Sequence, residues 1–333
     1  MHMVFYYISS PSTDPCWNLA LEQYVFDSFP RDKSYFMLWQ NDNTIVVGKN
    51  QNTAAEINGA FVRDHNIAVV RRLSGGGAVY HDLGNLNFTF ITDADSEEEI
   101  DFLPFCNYVV AALADLGVAG EVNGRNDITI DGKKFSGNSQ YRKNGRVMHH
   151  GTLMLRSNLS ILSEALAVDR KMLKAKGVAS VTSRVTNIGD FLPPDVDIND
   201  LRCALLRHIP CENREVPIQL TAEDHIAIDA IVATRYATWE WTYGESPALE
   251  ITRKECIENC GTIELHLSTD AGVITALKIF GDFFGSGNAT DLCSNLIGCR
   301  CELNELLSCV KSLGLQHYIY NCPEERFVEL LLP

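Results

Sequence analysis

Positive charge is scarce in this sequence. Its 333 residues hold 28 Lys and Arg against 43 Asp and Glu, a formal net charge of −15. A surface that binds nucleic acid must neutralise phosphates, so the deficit argues against a broad nucleic-acid interface while leaving room for a small basic site. Long apolar runs are also absent. No stretch approaches the roughly 18 residues of a membrane span, and the opening MHMVFYYISSPSTDP lacks the basic and apolar regions of a signal peptide. The expectation is a cytoplasmic protein without a membrane partner. Eleven cysteines are scattered along the chain with no two-residue knuckle spacing. Cys256 with Cys260, and Cys299 with Cys301, come nearest, and reduced packing thiols are expected there rather than zinc ligands.

Standard nucleotide fingerprints are missing as well. No Gly-x-x-x-x-Gly-Lys-Ser/Thr loop occurs, and Gly285-Ser286-Gly287 lacks the third glycine of a dinucleotide site. No nucleophile elbow starts a Ser-His-Asp order. A nucleotide, if bound, must be held in another manner.

What is present reads as globular, since 46% hydrophobic and 21% charged residues allow a sizeable core. The length suits one large and one small domain. Turn formers in YGESPALEI put the boundary there, giving domains of 1–247 and 248–333.

Pro15 in a first turn, capped by Thr13 or Asp14, predicts a helix in which Trp17, Leu21, Tyr24 and Val25 recur at helical spacing. YFMLW and TIVVG around QNDN predict a hairpin, and IAVVRRL and LNFTFI two further strands. FLPFCNYVVAALADLG reads as a helix closed by Gly117. Asp131-Gly132 between two alternating runs predicts a two-residue hairpin turn that sets Thr129 opposite Lys134. Alternation then sends Lys134 away from the face of Ile128, Ile130 and Phe135, free to line a site, whereas Lys133 shares that face. VMHHGTLML follows as a strand, and LSILSEAL, RKMLKAKG and NDLRCALLRHI as helices. AEDHIAIDAIVATRYATWEW is expected as one long helix. Beyond it, a hairpin around Asp270-Ala271-Gly272 and two helices form a small α/β module.

The chemistry concentrates in two segments. RRLSGGGAVYHDLGNLNFTF joins a cationic pair, Arg71 and Arg72, to three glycines whose bare backbone can approach phosphate oxygens. Asn87 and Thr89 then alternate with Leu86, Phe88 and Phe90, giving the following strand one polar and one apolar face. GRNDITIDGKKFSGNSQ presents Lys134, suited to neutralising a phosphate and a developing carbonyl charge. Residues 121–150 hold six Lys or Arg against three Asp or Glu, a local excess that attracts anions. His149 and His150 fall on opposite faces of a strand, so at most one faces a cleft. Cys16, in a first helical turn, is a candidate activated thiol, although a packing role is the safer reading.

Together with HHGTLML and AKGVASVTSRVTN, these segments resemble the lipoate–protein ligases of the bacterial two-domain type. The resemblance covers residues 5 to about 190 and continues weakly to the C-terminus. It implies an α+β fold: a catalytic domain like those of biotin–protein ligases and class II synthetases, with mixed, largely antiparallel sheets flanked by helices, plus a small C-terminal α/β domain. It implies ATP with Mg²⁺, and lipoate or octanoate, as reactants. Lipoate attacks the α-phosphate to give lipoyl-AMP, and a lysine of an acceptor then takes the acyl group. The implied acceptors are apo lipoyl domains of 2-oxoacid dehydrogenases and the glycine cleavage H protein. Lys134 matches the lysine that contacts lipoate and the adenylate phosphate. Arg72 matches the arginine of the nucleotide site, with Gly77, Ala78, Val79 and Tyr80 as the strand that follows the adenylate. Ser74, Gly75, Gly76 and His81 match the mouth of the lipoyl pocket. Asn126 and Asp127 are candidates for Mg²⁺–phosphate positioning, and His150 for supporting hydrogen bonds. Two rival readings are an acyl transferase that uses a cysteine thioester instead of ATP, and a non-catalytic lipoate binder. The lack of any cysteine between Cys106 and Cys203 favours the ligase.

Overall fold

The computed structural model describes residues 4–93, 101–123, 126–166, 184–244, 249–281, 283 and 285–332. The segment RKMLKAKG and most of AKGVASVTSRVTN lie outside them. The chain divides into two compact units, Met1–Lys49 with Asn66–Thr238, and Asn50–His65 with Trp239–Pro333. The excursion at 50–65, which groups with the C-terminal module, has no counterpart in a single boundary after residue 247.

The first unit is built on β1 (Phe5–Ser9), β2 (Ser34–Trp39), β3 (Thr44–Val47), β4 (Ala68–Arg71), β5 (Val79–His81), β6 (Asn85–Asp93), β7 (Glu121–Asn123), β8 (Asp127–Ile130), β9 (Lys133–Lys143) and β10 (Arg146–Met154). Seven of these form a sheet in the order β1-β2-β6-β10-β9-β8-β7, antiparallel except for the β1–β2 pair. A small second sheet, β4-β3-β5, carries the glycine loop between β4 and β5. The class is α+β as expected.

Period-2 alternation sorts the two faces of the large sheet. Phe36, Leu38, Phe88 and Phe90 point into an apolar cluster under α4 (Leu103–Asp115) and α6 (Ile198–His208). Asn87 and Thr89 of β6, and His150 paired across from Thr89, take the opposite face. That face meets α1 (Pro15–Ser28), which Asp14 caps by accepting from Trp17 N at 3.0 Å. Arg146, on the same face of β10, donates to the carbonyls of Phe26 and Phe29 at 2.7 and 3.0 Å, which satisfies the open end of α1. The helix is thus pinned over the polar face.

Two expected elements differ. β2 and β3 do not pair; β2 fills its edges with β1 and β6, while β3 joins β4 and β5. The polar turn between them is structural. Asn41 is buried and accepts from Asn18 Nδ2 at 2.9 Å, which carries the chain from one sheet to the other. The long helix after residue 222 stops early: α7 (Ala222–Ile231) passes into a π-turn at Val232–Tyr236. Thr234 donates to Ala230 O at 2.7 Å and Thr238 to Arg235 O at 2.6 Å, and such back-bonding bends a helix. Helices α2 (Thr53–Glu56) and α3 (Gly59–Asp64) belong to the second unit, and α5 (Leu159–Ala165) to the first.

In the second unit β11 (Leu249–Ile257), β12 (Gly261–Asp270) and β13 (Val273–Gly281) form an antiparallel meander. The β12–β13 turn falls at Ala271-Gly272, both at positive φ, as the sequence predicts. The meander packs on α8 (Ala289–Leu296), α9 (Leu303–Leu313) and α11 (Glu324–Leu331), with the short α10 (Leu315–Tyr318) between the last two. Among the described residues no helix is long and apolar enough to cross a membrane.

Candidate active site

The hairpin register is the one read from the turn. Thr129 pairs with Lys134 and Ile130 with Lys133, and Asp131 and Gly132 take positive φ as the tight turn requires. Ile128, Ile130 and Phe135 are buried in the cluster under α4, and Lys134 projects the other way. Its Nζ lies 2.7 Å from Asp127 Oδ1. A Cβ on Gly137 would stand 2.9 Å from Lys134 Cε and Nζ, so the bare glycine leaves room for the lysine stem. The Lys134 carbonyl accepts from Thr186 N at 2.9 Å, which fixes this strand edge.

Lys134 lines a cavity of about 120 Å³ together with Arg72, Gly76, Gly77, Ala78, Val79, His81, Asn126 and His150. A second cavity, of about 440 Å³, shares Ala78, Val79, Lys134, Gly137 and Thr152 with the first. Lys134 therefore stands in the wall common to both. The second cavity also takes Asp127 and Tyr80, whose hydroxyl donates to Asn43 Oδ1 at 3.0 Å. Ser74 and Gly75 line neither cavity and instead accept hydrogen bonds from the Arg72 side chain. His81, expected at the mouth, is buried beside Trp39, whereas Gly76 and Gly77 are exposed.

Of the two arginines, Arg72 lines the first cavity and Arg71 does not. Both are buried, and their forks serve main-chain carbonyls. Arg71 donates to Gly48 O and Lys49 O at 3.0 and 2.9 Å. Arg72 donates to Val46 O, Gly75 O and Gly77 O at 3.1, 2.7 and 2.8 Å, and through Nε to Ser74 Oγ at 3.1 Å. A turn of bare glycines leaves carbonyls to be satisfied, and a guanidinium fork does so several at a time. Burial lowers the Arg72 guanidinium to about 10, with Glu22 acting against that fall. Gly76, at φ +91, packs so closely on Gly48 that a Cβ there would lie 2.0 Å from Gly76 O.

Ser74 continues a buried relay. Its Oγ lies 2.6 Å from His150 Nε2, and His150 Nδ1 lies 3.0 Å from Glu22 Oε1. Thr89 Oγ1 also donates to Glu22 Oε1, at 2.5 Å, and accepts from Trp39 Nε1 at 2.9 Å. Cation, hydroxyl, imidazole and carboxylate thus form one chain from the glycine loop to α1. His149 points into the apolar cluster, stacked on Phe105 at 4.6 Å, and burial pushes its pKa well below the ordinary value. Cys16 is no activated thiol, because burial raises it to about 11 and its Sγ lies 3.3 Å from Tyr236 O.

Comparison with known proteins places this geometry. Residues 14–210 match the model of the lipoyl protein ligase A/B catalytic domain, and residues 246–331 the bacterial lipoate protein ligase C-terminus. Lipoate-protein ligase LplJ of Bacillus subtilis is 42% identical over 321 residues, 96% of this chain and 97% of that protein. The chain belongs to the lipoate–protein ligase family. Lipoate–protein ligase 1 of Staphylococcus aureus is 41% identical over 96% of this chain and 97% of that protein. Among solved structures, the bipartite lipoate protein ligase of Thermoplasma acidophilum, studied with its E2 lipoyl domain, superposes with a TM-score of 0.64 at 28% identity, covering 77% of this chain and all of that one. A lipoate-protein ligase A bound with ATP gives 0.60 at 26% identity, over 74% of this chain and all of that one.

Within this ligase fold, the sequence reading missed Glu22, Trp39, Asn138 and Ser139. Asn138 and Ser139 lie in SGNSQ, a small polar run whose alternation already marked one side of β9. Ser139 donates to Gly75 O at 2.8 Å, and Asn138 exchanges bonds with Asn126 at 2.7 and 3.0 Å. Glu22 gave no signal, because a glutamate beside Leu21 reads as the solvent side of a helix.

Proposed function

We infer that this protein is an ATP-dependent lipoate–protein ligase in which Lys134 serves both half-reactions. The observation that carries this reading is that Lys134 stands in the wall shared by two cavities, of which the second is the larger. Lipoate is assigned to the first and the nucleotide to the second. Its carboxylate oxygen attacks the α-phosphorus of ATP as the bond to pyrophosphate breaks, leaving lipoyl-AMP across the shared wall. Lys134 neutralises charge on the α-phosphate and acyl carbonyl there, while the glycine loop held by Arg72 shapes the channel. The neutral ε-amine of an acceptor lysine then attacks the carbonyl; the C–N bond forms, AMP leaves with the C–O electron pair, and the amine proton is lost to solvent.

Mg²⁺ fits the donor set. The Asp127 carboxylate, beside Lys134 and partly exposed, is a hard oxygen ligand of the kind that holds Mg²⁺ together with phosphates and water, and Asn126 adjoins it. The ion would offset phosphate charge. Apo lipoyl domains and the glycine cleavage H protein are the acceptors in this reading, and octanoate is an alternative acyl substrate. The eleven free thiols support a cytoplasmic setting. A thioester transferase finds no support in Cys16 or Cys106, since burial raises the first to about 11 and the second to about 12, and neither cysteine nor the exposed Cys203 lines either cavity.

The test is lipoate-dependent exchange of labelled pyrophosphate into ATP. Wild type should exchange only when lipoate is present, and Lys134→Ala should lose at least about 100-fold, as for removal of a transition-state donor. Acylation from an acyl-protein donor with no exchange would instead favour the transferase.

A further inference from the structure

A wall residue of the first cavity carries a ring nitrogen that meets no hydrogen-bond partner among the described residues. His81 is 3% exposed and lines the cavity beside Trp39 and Asn87. Its Nδ1 faces the amide nitrogens of Asn41 and Asn87 at 3.3 and 3.5 Å. The Asn41 amide cannot be turned round, because its Oδ1 accepts from Asn18 Nδ2, which is itself held by Gln40 O at 2.7 Å and Ser12 O at 3.2 Å. Nδ1 of His81 is therefore an acceptor, and the ring's proton sits on Nε2. Nε2 is buried and meets no hydrogen-bond partner among the described residues. The ring stays neutral at working pH, since burial, then Arg72 and His150, lower it to about 3.

The direction of the acyl chain follows from which residues the two cavities share. Lys134, Ala78, Val79, Gly137 and Thr152 line both, whereas His81, Trp39 and Asn87 line the first alone. A carboxylate that meets a phosphate at the shared wall sends its tail to the His81 end. Lipoate ends in a dithiolane, whose sulfurs accept weak hydrogen bonds; octanoate ends in a methyl group, which accepts none.

We propose that the Nε2–H of His81 selects a sulfur-bearing acyl tail over a straight alkyl tail, an inference that rests on the ligase reading above. A site with a buried donor rejects an analogue that leaves the donor unmet. Because disulfide sulfur is a weak acceptor, the preference set by this residue is roughly tenfold, far below that for a hydroxyl partner.

The experiment measures kcat/KM for adenylate formation with lipoate and with octanoate, using the full-length protein. Wild type should prefer lipoate. His81→Phe keeps the ring and removes the donor, and the ratio should shrink by roughly tenfold; His81→Gln, which restores an N–H, should recover part of it. Equal losses on both acids, with the ratio unchanged, overturn the proposal. Wild-type protein labelled with ¹⁵N-histidine gives a reading that needs no variant. The His81 Nε2–H signal should move on saturation with lipoate and not with octanoate, and identical shifts overturn the proposal even where His81→Phe does not fold. A wild type that activates neither acid contradicts the ligase reading itself; activation of both at an unaltered ratio contradicts only the role of His81.

Discussion

Gly137 and Glu22 set the geometry of Lys134 and the glycine loop without reacting themselves. Adding a methyl group at Gly137 presses on the far end of a flexible lysine rather than on backbone, at 2.9 Å. Gly137→Ala should therefore shift the melting temperature little, yet lower pyrophosphate exchange about tenfold by displacing Nζ. A variant with full exchange would show that Lys134 works equally well from another rotamer. Glu22→Gln keeps the shape of the relay and removes its charge. Losing a buried hydrogen bond to a charged group costs about 1.5–3 kcal/mol, so exchange should fall by roughly ten- to hundredfold and the unfolding midpoint should drop with it. Exchange at the wild-type rate would remove Glu22 from the account. Lys134 was legible in the sequence because turn chemistry fixed its register. Glu22 was not, since one-dimensional spacing cannot tell a buried carboxylate from a solvated one.

At the scale of elements, the glycine loop depends on the end of β3. A Cβ on Gly48 would lie 2.0 Å from the carbonyl oxygen of Gly76, a backbone atom that can yield only if the loop moves. Gly48→Ala should thus reduce kcat/KM for both ATP and lipoate by more than about tenfold, while the far-ultraviolet dichroism of the sheet is retained. Equal kinetics would mean the loop tolerates the shift. The same contrast explains which elements were readable. The β8–β9 and β12–β13 hairpins declare themselves in two residues, Asp131-Gly132 and Ala271-Gly272. The break between β2 and β3 depends on Asn18 and Asn41, 23 positions apart and bonded in the interior. Local rules reach the first kind and not the second. Arg71 is unreadable for the same reason, since its carbonyl partners at Gly48 and Lys49 are set by folding.

For the whole molecule, two buried neutral histidines govern stability in acid. His81 titrates near 6.5 when unfolded and near 3 when folded, and His149 is also held well below its ordinary value. Below about pH 6.5 the unfolded chain takes up protons that the folded chain refuses, so stability falls as pH drops. Each histidine contributes about 1.4 kcal/mol per pH unit until its folded pKa is reached. Urea midpoints measured at pH 7, 6 and 5 should decline steadily, and a flat series would contradict the burial. Charge acts at the same scale. Arg146 and Lys134 are already engaged, so among the described residues Lys133 and Lys143 are the exposed cations of the locally basic stretch in an acidic protein. Acceptor modification should slow as salt rises, more than adenylate formation does. Lys133→Glu with Lys143→Glu should remove most of that dependence; a salt response that survives the pair would place docking elsewhere.

The split composition of the second unit also matters while the chain is being made. Residues 50–65 leave the ribosome early, but their companions begin at Trp239. At about 5–20 residues per second, the intervening length delays them by roughly ten to thirty seconds. Through that interval Ile57 and Val62, buried in the finished protein, have no folded neighbour of their own unit to cover them. Nascent chains stalled short of residue 239 should be cut by protease within 50–65, whereas released full-length chains should resist. Translation speed then becomes a determinant of yield.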